Sequence, residues 1–491
     1  MFPHLGTLFD GLAHGFDARQ TLEAPGERPT SRGSNMPIVQ LVPFDGNWDE
    51  HAAAHLFRRT GFGASPEQIA DAVDQGLEAT VESLFDDNAE QEAEFVQTFD
   101  RVSSTLINFT DLTSVQCWWA YRMLRSQTPL REKLTLFWHG HFATSIHKVE
   151  DVWLMHRQIE MLRAHTFGQF RDLVLAVAKD AAMSVYLDGQ SNTKERPNEN
   201  FARELMELFT CGIGHYSEAD VLEGARAFSG WNRNGTEFLF NAEAHDSTRK
   251  KFLGKTGRFD GTDIIDILMQ QPATSRFVAT KLLRFFASPQ PSDEVIAEAA
   301  DLFDRTQLNV KWFLRELFLS KYFFSDDCYR KRISSPAEFV IGTVRSLGVR
   351  LSAPELINQM NAMGQELLGP PNVKGWDGEQ KWINSTTWPA RIGFAEMLTQ
   401  LASDNPVGPH LPSDQLVDPQ LNKPDEVVER LLTRLGQAEI SEASRNELVA
   451  FLVETDDGPN PNLFRDDEGF RNDKTRQLIG LILSLPESHA C

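Results

Sequence analysis

From Asp49 onward the apolar residues recur at intervals of three and four, with short polar breaks between runs. That is the period of helices that each bury one face. Leu130, Leu134, Phe137 and His141 form one such stripe. Thr128 stands before it as a cap, and Pro129 takes the first helical position, where a missing N–H costs nothing. Asn198 caps another helix with the buried stripe Phe201, Leu205 and Leu208. Ser217 and Asp220 make a shortened capping box ahead of Val221, Ala225 and Phe228. Further helices are predicted at about 150–165, 167–178, 273–287, 309–320, 335–346, 389–402, 425–436 and 471–485. Alternating pattern is scarce. Its best instance is Thr236 to Asn241, where Phe238 and Phe240 share a face, and it predicts a small hairpin running toward His245. No repeat period suggests a solenoid. The expected fold is mainly α, a single large multi-helix globular domain over 47–491 with at most a small β-hairpin.

The pattern fails in three places. Residues 1–46 crowd Pro25, Gly26, Pro29, Ser31, Gly33, Ser34 and Pro37 with little apolar periodicity, which predicts a disordered tail. The stretches 403–426 and 456–468 are acidic and turn-rich, and are predicted to be surface loops.

Composition agrees with a buried core: 41% of the 491 residues are hydrophobic and 24% charged. The formal net charge of -22 repels phosphate backbones and anionic lipid, which excludes general nucleic-acid binding. The run Arg249, Lys250, Lys251 is read as a solvated basic turn. Cys117, Cys211, Cys328 and Cys491 lack the spacing of a zinc site or a redox pair. No apolar run reaches the roughly 18 residues of a membrane span, and the N-terminus has no basic region followed by an apolar core. A cytoplasmic location is the default expectation, with export left open.

Chemistry concentrates between Phe137 and Asp246, which hold His139, His141, His147, His156, His165, His215 and His245. In His139-Gly140-His141, a regular helix would point the two rings about 200° apart. Sharing one metal requires the helix to end near Gly140, which glycine permits. Asn200, Glu204, Glu207 and Cys211 fall along one helical ridge, with Glu199 and Arg203 paired on the other side. Carboxylates at i, i+3 can share a metal or divide acid and base roles, and Glu204, nearer the apolar stripe, is expected to have the raised pKa. In His245-Asp246 the carboxylate can fix the imidazole tautomer, or both groups can ligate a metal. Only their number recommends His147, His156 and His165. No Walker loop, HExxH, nucleophile elbow or EF-hand pattern is present.

Four segments, HLFRRTGFGASPEQI from His55, FWHGHFATS from Phe137, NENFARELMELFTCGIGHYSEADVLEGARAFSGW from Asn198 and PPNVKGWDGEQKWINSTT from Pro370, resemble a bacterial family catalogued as domain of unknown function 1800. The closing LILSLPES is similar to its usual ending. The resemblance spans about 50–488 and implies one mostly helical unit with no settled activity. It implies that FWHGHF, NENFAREL, the pair at His245 and the KGW at Lys374 are family motifs. It also implies a partner or shared pathway with a sulfatase-like family, domain of unknown function 1501. Ala181 and Ala182 stand where Pro-Ala is more usual, and Cys211 where Leu is usual, which argues against a catalytic Cys211.

Two expectations follow. In the first, His139, His141, His245 and Asp246 bind a divalent metal ion that activates water or oxygen. Glu204 and Glu207 serve as acid and base, and Arg203 or Lys374 steadies an anionic group. Hydrolysis of an ester or glycan substituent is favoured over oxidation. In the second, the chain is a non-catalytic helical scaffold whose Trp118, Trp119, Trp138, Trp231, Trp376 and Trp382 fill a large core around satisfied polar groups.

Overall fold

A computed structural model of the chain describes residues 41–85 and 107–491, apart from 403–404, 406–407, 413–415, 418–420 and 437–439. The chain is mainly α, as its periodicity predicts. The capped segments form helices where the pattern places them: Pro129–His141, Val152–Ala164, Phe170–Ala178, Glu218–Phe228, Pro272–Phe286, Val310–Phe318, Pro336–Leu347, Thr387–Thr399, Pro424–Arg434 and Glu468–Ser484. The Ser217–Asp220 box closes in both directions. Thr128, by contrast, makes no side-chain cap bond.

The helices pair across the fold. Pro129–His141 packs on Val152–Ala164, and Leu112–Arg125 on Ala353–Ala362. Pro272–Phe286 packs on Asp293–Arg305, and Thr387–Thr399 on Glu468–Ser484. Between them lies a continuous apolar core in which Trp119, Trp138, Phe142, Phe170, Phe209 and Phe286 are fully buried. At roughly 2–3 kcal/mol for each large side chain removed from water, this core supplies the main driving force of folding.

A charged cluster is built into that core. Glu338 accepts from Lys133 at 2.9 Å and Arg332 at 3.2 Å, with all three side chains nearly inaccessible. Burial opposes the Glu338 charge, but Arg332 and Lys133 outweigh it and hold the carboxyl well below the usual range.

Five expectations change. Residues 1–40 of the expected tail lie outside the described residues, but 41–46 are docked. Leu41 N donates to Glu298, Phe44 N donates to Leu319 O, Lys321 N donates to Val42 O, and the Phe44 ring lies 4.4 Å from Phe324. The expected hairpin is β1 (Trp231–Asn234) with β2 (Glu237–Phe240), and a second follows, β3 (Lys250–Phe252) with β4 (Lys255–Gly257). Lys250 is consequently no solvated turn residue: it is buried and donates to the carbonyls of Asp246 and Thr248. The described parts of 403–426 are anchored, with His410 exchanging both backbone bonds with Arg350 and Leu411 and Leu416 buried. Within 456–468, Pro461–Asp466 is helical and buries Phe464.

Candidate functional site

The helix carrying the HGH motif does not break at Gly140; it runs through His141. The two rings therefore diverge, as 100° per residue requires. His139 is fully buried, edge-on to Trp119 at 5.4 Å and Trp376 at 5.6 Å. Neither of its ring nitrogens has a hydrogen-bond partner among the described residues, and burial pulls its pKa down to about 3. It is a neutral ring in an aromatic slot.

His141 points the other way. Its Nε2 lies 3.0 Å from Phe209 O and its Nδ1 3.2 Å from Lys281 Nζ. A carbonyl only accepts, so Nε2 carries the proton and Nδ1 accepts from the lysine. Burial, then the neighbouring Lys281, holds the imidazole well below its usual pKa. Lys281 Nζ also donates to Leu208 O at 3.2 Å and lies 4.9 Å from the centre of the Phe277 ring. Burial, then Arg284, lowers the amine to about 8.

The carbonyls that receive these two donors come from an irregular turn. Asn200–Glu204 is α-helical, but Leu205–Thr210 widens into a π-helix. The N–H groups of Cys211 and Gly212 both reach back to Met206 O. Such widened turns recur at functional sites because they re-aim backbone groups. Here the widening presents Leu208 and Phe209 carbonyls toward Lys281 and His141. The regular ridge expected for Asn200, Glu204, Glu207 and Cys211 is interrupted by the same turn. Glu204 is raised by burial and then by Glu207, with Arg203 and Lys374 opposing. Glu207 accepts from Tyr216 Oη at 3.0 Å. Arg203 is committed to Glu199 and Glu218 at 2.9 and 2.8 Å, so its charge is spent at the surface rather than on a ligand.

The KGW motif meets the HGH motif through glycines. Gly375 has φ +83, and a Cβ on it would stand 2.2 Å from Gly140 O. Only glycine permits that backbone conformation at that distance. The contact sets Trp376 over Gly140 and against His139, and places Lys374 beside the HGH helix.

The HGH helix, the Pro272–Phe286 helix and the KGW loop wall a cleft of about 310 Å³, whose lining does not include Glu204 or Glu207. His141, Lys281, Arg284, Arg332, Lys374, Trp376 and Trp382 line it, together with Asp377 and Glu379. Arg332 is bound to Glu338 and Glu379. Arg284 and Lys374 form no salt bridge among the described residues. The sequence reading missed Lys281, Arg284 and Arg332. The only signal for the first two was a pair of cations at i, i+3 inside the apolar run of Pro272–Phe286.

The His–Asp pair sits apart from these contacts. His245 Nδ1 lies 2.8 Å from Ser229 O, and its ring meets Phe240 at 5.2 Å. Asp246 accepts from Arg226 at 2.8 Å and from Thr248, which joins the loop before β3 to the Glu218–Phe228 helix. This pair acts as a structural tie. No three His, Cys, Asp or Glu side chains group as metal ligands among the described residues. His139, His141, His245 and Asp246 therefore do not supply a ligand set for the expected divalent ion, because the unbroken helix separates the first two and Arg226 holds the last.

No described helix is long and apolar enough to cross a membrane. No curated protein and no solved structure matches the chain. A family model described as "Protein of unknown function (DUF1800)" matches residues 55–489, which contain every wall of the cleft. The chain belongs to the DUF1800 family.

Proposed function

We propose that the cleft between the HGH helix, the Pro272–Phe286 helix and the KGW loop binds an anionic molecule with a flat face. The observation that carries this is a local reversal of charge. In a chain of net charge -22, Lys281, Arg284 and Lys374 line one recess together with Asp377, while Arg332 and Glu379 in the same lining pair with each other. Low-dielectric walls strengthen the attraction of such a cluster for an anion. Trp376 and Trp382 add indole faces of the kind that stack on sugar or aromatic rings. Lys374 and Arg284 take the anionic group, and Glu204, which stands outside the cleft lining but feels the charge of Lys374, is the acid–base candidate for cleaving an ester or glycan substituent that reaches beyond the cleft. A sulfatase-like partner handling anionic esters suits the same ligand class. No step in this reading passes through a metal.

Tryptophan fluorescence tests it. Glucuronate or glucose 6-sulfate should quench the cleft indoles where glucose does not, with affinity falling as salt rises. Lys374→Ala should weaken binding by about two- to fivefold, the effect of losing one exposed charge contact. Equal response to neutral and anionic sugars would remove the basis of the proposal.

A further inference from the structure

Lys133 is buried and Lys281 is half-buried at the rim of the cleft, and their surroundings differ. Lys133 Nζ has three acceptors: Arg58 O at 2.7 Å, Gly61 O at 2.8 Å and the Glu338 carboxylate at 2.9 Å. That saturates the three N–H bonds of an ammonium and neutralises its charge. Lys281 Nζ has two acceptors, Leu208 O and His141 Nδ1, and no carboxylate among the described residues. A neutral amine has two N–H bonds, so these partners satisfy it completely and leave its lone pair unengaged. Among the described residues no third polar group is within hydrogen-bonding distance of this nitrogen, and the residue lines the cleft.

We propose that Lys281 is a nucleophilic amine that condenses with the aldehyde or ketone of an anionic carbonyl compound to form an imine. This rests on the reading of the cleft as an anion site. The Nζ lone pair adds to the carbonyl carbon, and the C=O π electrons pass to oxygen. Both amine hydrogens then leave with that oxygen as water, and a C=N bond remains. His141 Nδ1 already accepts one of those N–H bonds and is placed to carry its proton to the departing oxygen. Arg284 and Lys374 hold the anionic end of the same molecule. The lowered amine pKa, about 8, keeps a useful neutral fraction near physiological pH.

Pyridoxal 5′-phosphate, a flat anionic aldehyde, is the probe. The full chain is incubated with it at pH 8, reduced with borohydride and mapped by peptide mass. Lys281 should be modified at least about tenfold faster than the exposed Lys255 and Lys423, in line with its larger neutral fraction. Pyridoxine 5′-phosphate, which lacks the aldehyde, should protect it. Lys281→Arg should abolish the imine absorbance while still binding pyridoxine 5′-phosphate, as read by tryptophan quenching. If pyridoxine 5′-phosphate binds but Lys281 reacts no faster than the exposed lysines, the imine proposal is overturned and the anion site stands. If pyridoxine 5′-phosphate neither quenches nor protects, both are overturned.

Discussion

Replacing Gly375 by alanine should damage both the fold and the cleft, while the same change at Gly140 should not. At Gly375 the backbone is left-handed, φ +83, and the new Cβ would lie 2.2 Å from Gly140 O and 3.1 Å from its carbonyl carbon. The left-handed conformation costs alanine about 1–2 kcal/mol. Relieving a backbone-to-backbone overlap adds about 1–3 kcal/mol, the range for overpacked sites. The sum is about 2–5 kcal/mol. Extending the trend in smaller domains to this length gives roughly 1–2 °C per kcal/mol, hence a fall in Tm of about 2–10 °C. Because the overlap is relieved by moving the loop, Lys374 and Trp376 shift with it, and quenching by anionic ligands should be lost. At Gly140 a Cβ would meet only the Trp376 ring, at 3.7 and 4.0 Å, which is ordinary contact. Alanine is also the better helix former by about 0.8–1 kcal/mol. Thermal melts of the two variants, with ligand quenching on each, decide the matter. A harmless Gly375→Ala, or equal losses in both variants, would refute the claim that the two motifs meet through this one backbone contact.

Other expectations follow from the charged groups. Glu338→Gln leaves Lys133 without a carboxylate in the core and Arg332 with Glu379 alone, and should cost about 3–5 kcal/mol in denaturant unfolding; a loss under about 1 kcal/mol would show that the cluster is not cohesive. Asp246→Asn removes the Arg226 ion pair and should cost about 1–3 kcal/mol while leaving ligand quenching intact. Burial works against the Asp246 charge, but Thr248 and Arg226 hold its carboxyl below its ordinary value of 3.8. Its contribution is therefore complete above that pH and lost as pH falls further, so wild type and Asp246→Asn should converge in acid. For Lys281 the slope has the same sign in a higher pH window: the folded amine at about 8 loses its proton before the unfolded one at 10.5. Wild type should gain on Lys281→Met between those values, by at most about 1.4 kcal/mol per pH unit; a flat difference would place the amine elsewhere.

The fold was legible because helix formation is written locally. Stripes such as Leu130, Leu134 and Phe137 need only a periodic apolar face, and the Ser217 capping box and the first-turn Pro129 mark where helices start. The second hairpin escaped because Lys250 reads as solvent-exposed until Asp246 and Thr248 offer it carbonyls. Leu41 and Phe44 escaped because docking by Glu298, Leu319 and Phe324 leaves no local trace.

By itself the sequence determined the mainly helical class, most of the helices, the family and the motifs worth following. It also determined that His139 and His141 part company if the helix continues, because the angle per residue is a property of the helix alone. Only the tertiary structure decided that it does continue. There Gly140 serves a close approach by Gly375 rather than a helix end. Only the tertiary structure turned the Leu208 and Phe209 carbonyls to Lys281 and His141, gathered Arg284 and Lys374 into one cleft, and set His245 and Asp246 to tying down a hairpin. The division has one physical cause. Backbone periodicity is set by neighbours in the chain, whereas a site is set by which carbonyl, ring or cation a distant segment brings within hydrogen-bonding distance.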